Sequence, residues 1–97
     1  MEKIGYIYIM TNKNKTTLYI GVTSDLKRRV WEHRTHAVPN SFTAKYNLEY
    51  CIYYETLSNI EDAIRREKIL KGWTRAKKEI LINKMNPDWA DLFSINN

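Results

Sequence analysis

From Tyr6 to Met10 and again from Thr17 to Val22 the chain alternates aliphatic or β-branched residues with aromatic ones, and Asn12-Lys13-Asn14-Lys15 separates the two runs. Such a pattern predicts two strands joined by a polar turn, an antiparallel hairpin. Ile7 and Ile9 alternate with Tyr6 and Tyr8, and Leu18, Ile20 and Val22 flank Tyr19. Each strand therefore turns an aliphatic face to a core and an aromatic face the other way. A turn centred on Lys13-Asn14 sets Tyr8 directly across from Tyr19.

Downstream, Thr23-Ser24-Asp25 supplies helix-capping oxygens and predicts a helix to about Arg34. Asn40 to Asn47 reads as loop or a short helix. Leu48 to Glu55 reads as a third strand, with Leu48, Tyr50, Ile52 and Tyr54 on one face. Ser58-Asn59-Ile60-Glu61 has capping-box spacing and opens a helix that Gly72 ends as a left-handed C-cap. Thr74 restarts a helix through about Lys84, and Asn86-Pro87 stops it because the residue before proline avoids helical angles. Trp89, Leu92 and Phe93 are expected to fold back on the core. The result is an α+β (α/β) arrangement in the order β-β-α-β-α-α: a small three-stranded antiparallel sheet flanked by helices.

At 97 residues the chain is one domain, residues 1–97, well short of the roughly 200 at which second cores appear. Its single cysteine, Cys51, cannot form an internal disulfide, and with only His33 and His36 beside it no Cys/His zinc site can be assembled. Packing alone must hold the fold, and 43 % apolar residues can supply it. No apolar run approaches the roughly 20 residues that cross a bilayer, and Met1-Glu2-Lys3 does not lead into a signal peptide. We therefore expect a cytoplasmic protein without a membrane partner. Sixteen Lys and Arg against 11 Asp and Glu give a net charge of +5, a field that attracts polyanions, nucleic acid first among them. The glycines Gly5, Gly21 and Gly72 are too scattered for a phosphate-binding loop.

The apolar helix stripes carry ionisable residues. Counting from Leu26, one face holds Leu26, Arg29, Val30 and His33; counting from Ile60, one holds Ile60, Ala63, Ile64, Glu67 and Leu70. Arg and Glu are almost never fully buried without partners, so these positions either pair or open a cleft. An Arg29–Glu67 ion pair is one outcome. The other is a polar site in which Arg29 binds a phosphate, Glu67 holds a divalent metal, His33 exchanges a proton, and Tyr8 and Tyr19 add phenol hydroxyls. Lys27 and Arg28, with Arg65, Arg66, Lys68, Lys71, Arg75, Lys77 and Lys78, form the basic positions that could track a phosphate backbone, or simply solvated helix faces. His36 and Cys51 carry no special signal.

Tyr6-Ile7-Tyr8, Tyr19-Ile20-Gly21, the segment Thr23 to Arg29 with His33 one turn on, and Glu67 in a later helix together resemble the GIY-YIG nuclease superfamily, in particular its small single-domain members. The likeness runs nearly end to end. It implies that Tyr8 and Tyr19 are the two motif tyrosines and that Arg29, His33 and Glu67 match the family's arginine, histidine and single metal-binding glutamate. Tyr6 stands where the first motif has glycine, Gly5 lies one residue earlier, and Val22 stands where a lysine follows the second motif. A late asparagine of the family could match Asn83 or Asn86.

The implied activity is metal-dependent hydrolysis of phosphodiesters in DNA or RNA, DNA before RNA, as an endonuclease of repair or processing. One Mg²⁺ or Mn²⁺ is expected on Glu67, with water and phosphate completing the shell. Tyr8, its phenol acidified by metal and nearby cations, is expected to deprotonate the attacking water while Tyr19 and His33 position or relay the proton. A partner protein would supply sequence specificity. Two competing classes remain: a nucleic-acid binding module that cleaves nothing, and a protein-interaction domain with Trp73 and Trp89 on its partner surface.

Overall fold

A computed structural model describes residues 3–93. The hairpin of β1 (Gly5–Thr11) and β2 (Leu18–Thr23) leads into α1 (Leu26–Arg34) and the single turn of α2 (Phe42–Lys45). β3 (Tyr50–Leu57), α3 (Ile60–Lys71) and α4 (Arg75–Met85) complete the chain order. The sheet is antiparallel, with strands in the order β2-β1-β3. Fold class and main element order are those expected, and α2 resolves the ambiguous Asn40 to Asn47 stretch.

β1 is the middle strand and is buried on both faces. Ile7, Ile9 and Ile20 pack against Ala63, Leu70 and Ile82 of α3 and α4. On the opposite face Tyr8 and Met10 meet Leu26 and Val30 of α1, with Leu48 and Cys51. The aromatic face is thus covered by α1, which carries the ionisable residues of that helix to the sheet. Gly5 admits the start of α3: a Cβ there would lie 2.7 Å from the Ala63 Cβ and 2.8 Å from the Asn59 carbonyl oxygen. The displaced motif glycine therefore has a packing role of its own.

Four local expectations are corrected. First, Tyr8 pairs with Gly21 and Tyr19 with Met10, not with each other. The Asn12 side chain accepts from the Thr16 and Thr17 amides at 2.9 and 3.2 Å, and Lys15 takes a left-handed φ of 60°, so the turn lies later than Lys13-Asn14. Second, β3 spans Tyr50–Leu57 rather than Leu48–Glu55, and an irregularity opposite Ile9/Met10 breaks its alternation. Ile52 joins the α3 side with Tyr53, while Cys51 comes to the α1 side with Leu48 and Tyr54. Third, α3 is capped by Asn59, whose side chain accepts from the Asp62 amide at 2.8 Å, rather than by Ser58. Fourth, Gly72 ends α3 with right-handed angles, φ −79° and ψ −9°.

Trp89 packs beside the first cluster and Phe93 beside the second. No helix of the described residues is long and apolar enough to cross a membrane.

Candidate active site

The corrected register determines how the two tyrosines meet. Tyr8 lies over Gly21, where an added Cβ would be 2.3 Å from its hydroxyl oxygen. Only a residue without a side chain leaves room for the phenol across the neighbouring strand. Tyr19 follows on the same face, its ring centroid 6.3 Å from that of Tyr8. α1 is phased against this face by Asp25, whose carboxylate accepts from the Arg28 amide at 3.2 Å and caps the helix. Leu26, Val30 and His33 consequently point inward.

His33 joins the cluster through both ring nitrogens. Nε2 lies 2.8 Å from the Tyr8 hydroxyl and Nδ1 2.6 Å from Thr43 Oγ1. Its centroid is 5.5 Å from Tyr8 and 5.7 Å from Tyr19. Burial, reinforced by the Arg29 charge, pushes the imidazole pKa down to about 4, so the ring is neutral near pH 7. Burial also raises the Tyr8 phenol above its ordinary range, outweighing Arg29, which acts in the opposite direction. The protein's own groups therefore do not acidify this phenol as expected. With the phenol protonated, we assign its O–H as donor to Nε2 and leave Nδ1–H to donate to Thr43 Oγ1.

Arg29 lies close enough to the Tyr8 phenol that each shifts the other's titration, the phenol being the largest influence raising the Arg29 pKa. Its Nη1 donates to Glu32 Oε1 at 3.0 Å, and Arg28 reaches the other Glu32 oxygen at 3.3 Å. These side chains, with Thr23 and Ser24, line a cleft of about 360 Å³ beside the buried cluster. Arg29 keeps 40 % of its side chain exposed, enough to meet an anion entering that cleft.

Tyr8, Tyr19, Arg29 and His33 thus come together. Glu67 lies on α3, the helix packed over β1 and β2 on the aliphatic face of the sheet. Its largely sheltered carboxylate pairs with Lys71 Nζ at 3.0 Å. The alternative Arg29–Glu67 ion pair is not formed: each residue has a partner in its own helix. Among the described residues no three His, Cys, Asp or Glu side chains gather into a metal-binding cluster. Asn86 is buried in structural bonds to the Ile52 and Ala90 backbones, and Asn83 accepts from Trp89 Nε1.

The basic positions divide. Arg66 is held by Glu55 through two nitrogens and lies over Trp73, which also carries Lys77. Arg75 donates to the Lys15 and Thr16 carbonyls of the hairpin loop and pairs with Glu79. Arg65 pairs with Asp62, Arg28 with Glu32 and Lys71 with Glu67. Lys27 and Lys78 have no ion pair among the described residues. Trp73 and Trp89 are partly buried against the core. Cys51 is fully buried, its thiol pushed up to about 12 by burial, which makes it inert.

Thr43 and Glu32 are site residues that sequence reading missed. Thr43 belongs to a four-residue helix with no apolar period to register, and Glu32 looks like an ordinary exposed position.

The family model described as the GIY-YIG catalytic domain matches residues 4–80, a span that contains all five expected site residues. A UPF0213 protein of Bacillus pumilus is 29 % identical over 85 residues, covering 88 % of this chain and 86 % of its own length. A UPF0213 protein of Syntrophus aciditrophicus is 30 % identical over 84 residues, covering 87 % and 94 %. The solution NMR structure of the UPF0213 protein BH0048 from Bacillus halodurans superposes with a TM-score of 0.58 at 23 % identity, over 97 % of this chain and 98 % of that one, a likeness of fold.

Proposed function

The chain belongs to the GIY-YIG catalytic-domain family, and on that premise we propose that it is a divalent-metal-dependent endonuclease hydrolysing phosphodiester bonds in DNA, or secondarily in RNA. The observation that carries the reading is the convergence of Tyr8, Tyr19, Arg29 and His33 beside a polar cleft.

Glu67 suits a hard cation as its sole protein ligand. One carboxylate oxygen meets Lys71, and water and substrate phosphate would fill the remaining positions around Mg²⁺ or Mn²⁺. Such an ion neutralises charge on the phosphate and makes bound water easier to deprotonate. Arg29 supports the phosphoryl oxygens as charge builds on them, a preorganised contribution of about 3–4 kcal/mol per donor in comparable sites. Arg29 must leave Glu32 to do so. Tyr8 Oη takes a proton from the attacking water as its own proton passes to His33 Nε2, while Thr43 holds the ring in place. Neutral His33 is the acceptor this relay needs. Tyr19 packs both rings in position. Sequence discrimination comes from a partner protein, and Lys27 and Lys78 contribute phosphate contacts.

The Lys71 ion pair already made by Glu67 favours one second reading, a nucleic-acid binding module that cleaves nothing. Labelled single-stranded, duplex, flapped and branched DNA and RNA, incubated with the protein under Mg²⁺, Mn²⁺ or chelator, separate the two. Cleavage should require metal and disappear in Glu67→Gln, while Tyr8→Phe should lower rate far more than affinity. Full activity in Glu67→Gln would overturn the assignment. Chelator-insensitive binding without cleavage would establish the second reading.

A further inference from the structure

Two aromatic residues, Phe42 at the start of α2 and Tyr46 at its C-cap, stay in water beside the buried cluster. Phe42 is 47 % and Tyr46 45 % exposed. Phe42 stacks against Tyr19 at 6.0 Å and 28° between ring planes, and Tyr46 meets Phe42 at 4.8 Å. Since Tyr19 also contacts His33, the rings form a ladder that begins at the proton-accepting imidazole and ends in solvent. The helix that presents Phe42 also supplies Thr43 to His33 Nδ1. Lys45 Nζ lies 5.5 Å from the Tyr46 centroid, placing a cation at the outer end.

An exposed aromatic pair costs solubility, and support of His33 requires only the Thr43 hydroxyl from this turn. Aromatic rings next to a cation, on a basic domain, match one kind of ligand closely. Every nucleobase offers a π-face, and its own phosphate offers an anion. Resting on the nuclease reading, we propose that Phe42 and Tyr46 form a stacking shelf for an unpaired nucleobase next to the scissile phosphate, with Lys45 on the adjoining phosphate. A base within a duplex already has both faces occupied by its neighbours and must leave the stack to use the shelf. The shelf therefore ranks substrates by the ease of exposing one base at the cut.

Short oligonucleotides carrying 2-aminopurine at successive positions, titrated with the protein in chelator so that nothing is cut, test this directly. Fluorescence should be quenched at one position. Phe42→Ala and Tyr46→Ala should each weaken binding by about 5- to 150-fold, as loss of one base–aromatic stack does elsewhere. Phe42→Tyr should restore it. Tyr46→Ala leaves the Tyr19–Phe42 contact in place, so its effect is independent of any disturbance of the buried site. Absence of quenching, or alanine variants that bind like the parent, would overturn the shelf. So would a parent dimer that Tyr46→Ala dissolves without changing oligonucleotide affinity, which would assign the rings to a protein contact. Cleavage of the same oligonucleotides with metal separates the two ideas: cutting without quenching removes the shelf alone, and quenching without cutting removes the nuclease alone.

Discussion

A methyl group on Gly21 would collide with the hydroxyl and ring of Tyr8, a side chain only 1 % exposed and bonded to His33. Gly21→Ala should therefore destabilise the fold by about 1–3 kcal/mol, as overpacking does, and break the Tyr8–His33 bond. Denaturant melts would measure the first effect; a catalytic loss exceeding the loss of folded protein would measure the second. Unchanged activity would remove Tyr8 from the mechanism. His33 gives a second prediction. Its folded pKa of about 4 lies below the ordinary value of 6.5, so between these values the unfolded chain binds the extra proton. Its contribution is fully present above about pH 6.5 and lost as pH falls toward 4, up to about 3 kcal/mol. The stability slope between pH 6.5 and 5 should vanish in His33→Gln; a slope that persists would mean other groups produce it. Arg29 and His33 were legible in the sequence because ionisable residues interrupt an apolar stripe. Glu32 was not, because its significance depends on which arginine it reaches across one helical turn.

At the scale of elements, Gly72 behaves unlike the usual helix-ending glycine. Its angles suit any L-residue, and an added Cβ would meet the Ile69 carbonyl oxygen at 3.4 Å, an ordinary contact. Gly72→Ala should stabilise the protein by about 0.4–1 kcal/mol by restricting the unfolded chain. A lower urea midpoint would refute this. The extents of α1, α3 and α4 were legible from caps and apolar period. The hairpin register was not, because it depends on how the Asn12 side chain organises the loop and on left-handed Lys15. Nor was the reorientation of Ile52, since an irregularity in β3 leaves no mark in an apolar run.

Across the whole molecule the proposed chemistry draws on helices packed against both faces of the sheet. Tyr8, Tyr19, His33 and Arg29 gather on the α1 side, and Glu67 belongs to the helix packed on the other. Periodicity could nominate both sets, but it carries no information on how α3 is placed relative to an edge of the sheet. Arg75 ties the start of α4 to the hairpin loop, and Arg34 ties α1 to Asp91 and to the Phe93 carbonyl. The second tie has a consequence for how copies of the chain behave toward one another. With β2 and β1 paired, the outer side of β3 is an open edge of the kind on which foreign strands can grow. There the Leu92 amide donates to the Cys51 carbonyl, and the Asp91 carboxylate accepts from the Cys51 amide. The segment pinned by Arg34 thus acts as a stopper on the β3 edge, occupying at Cys51 backbone groups through which that edge could otherwise take up a foreign strand.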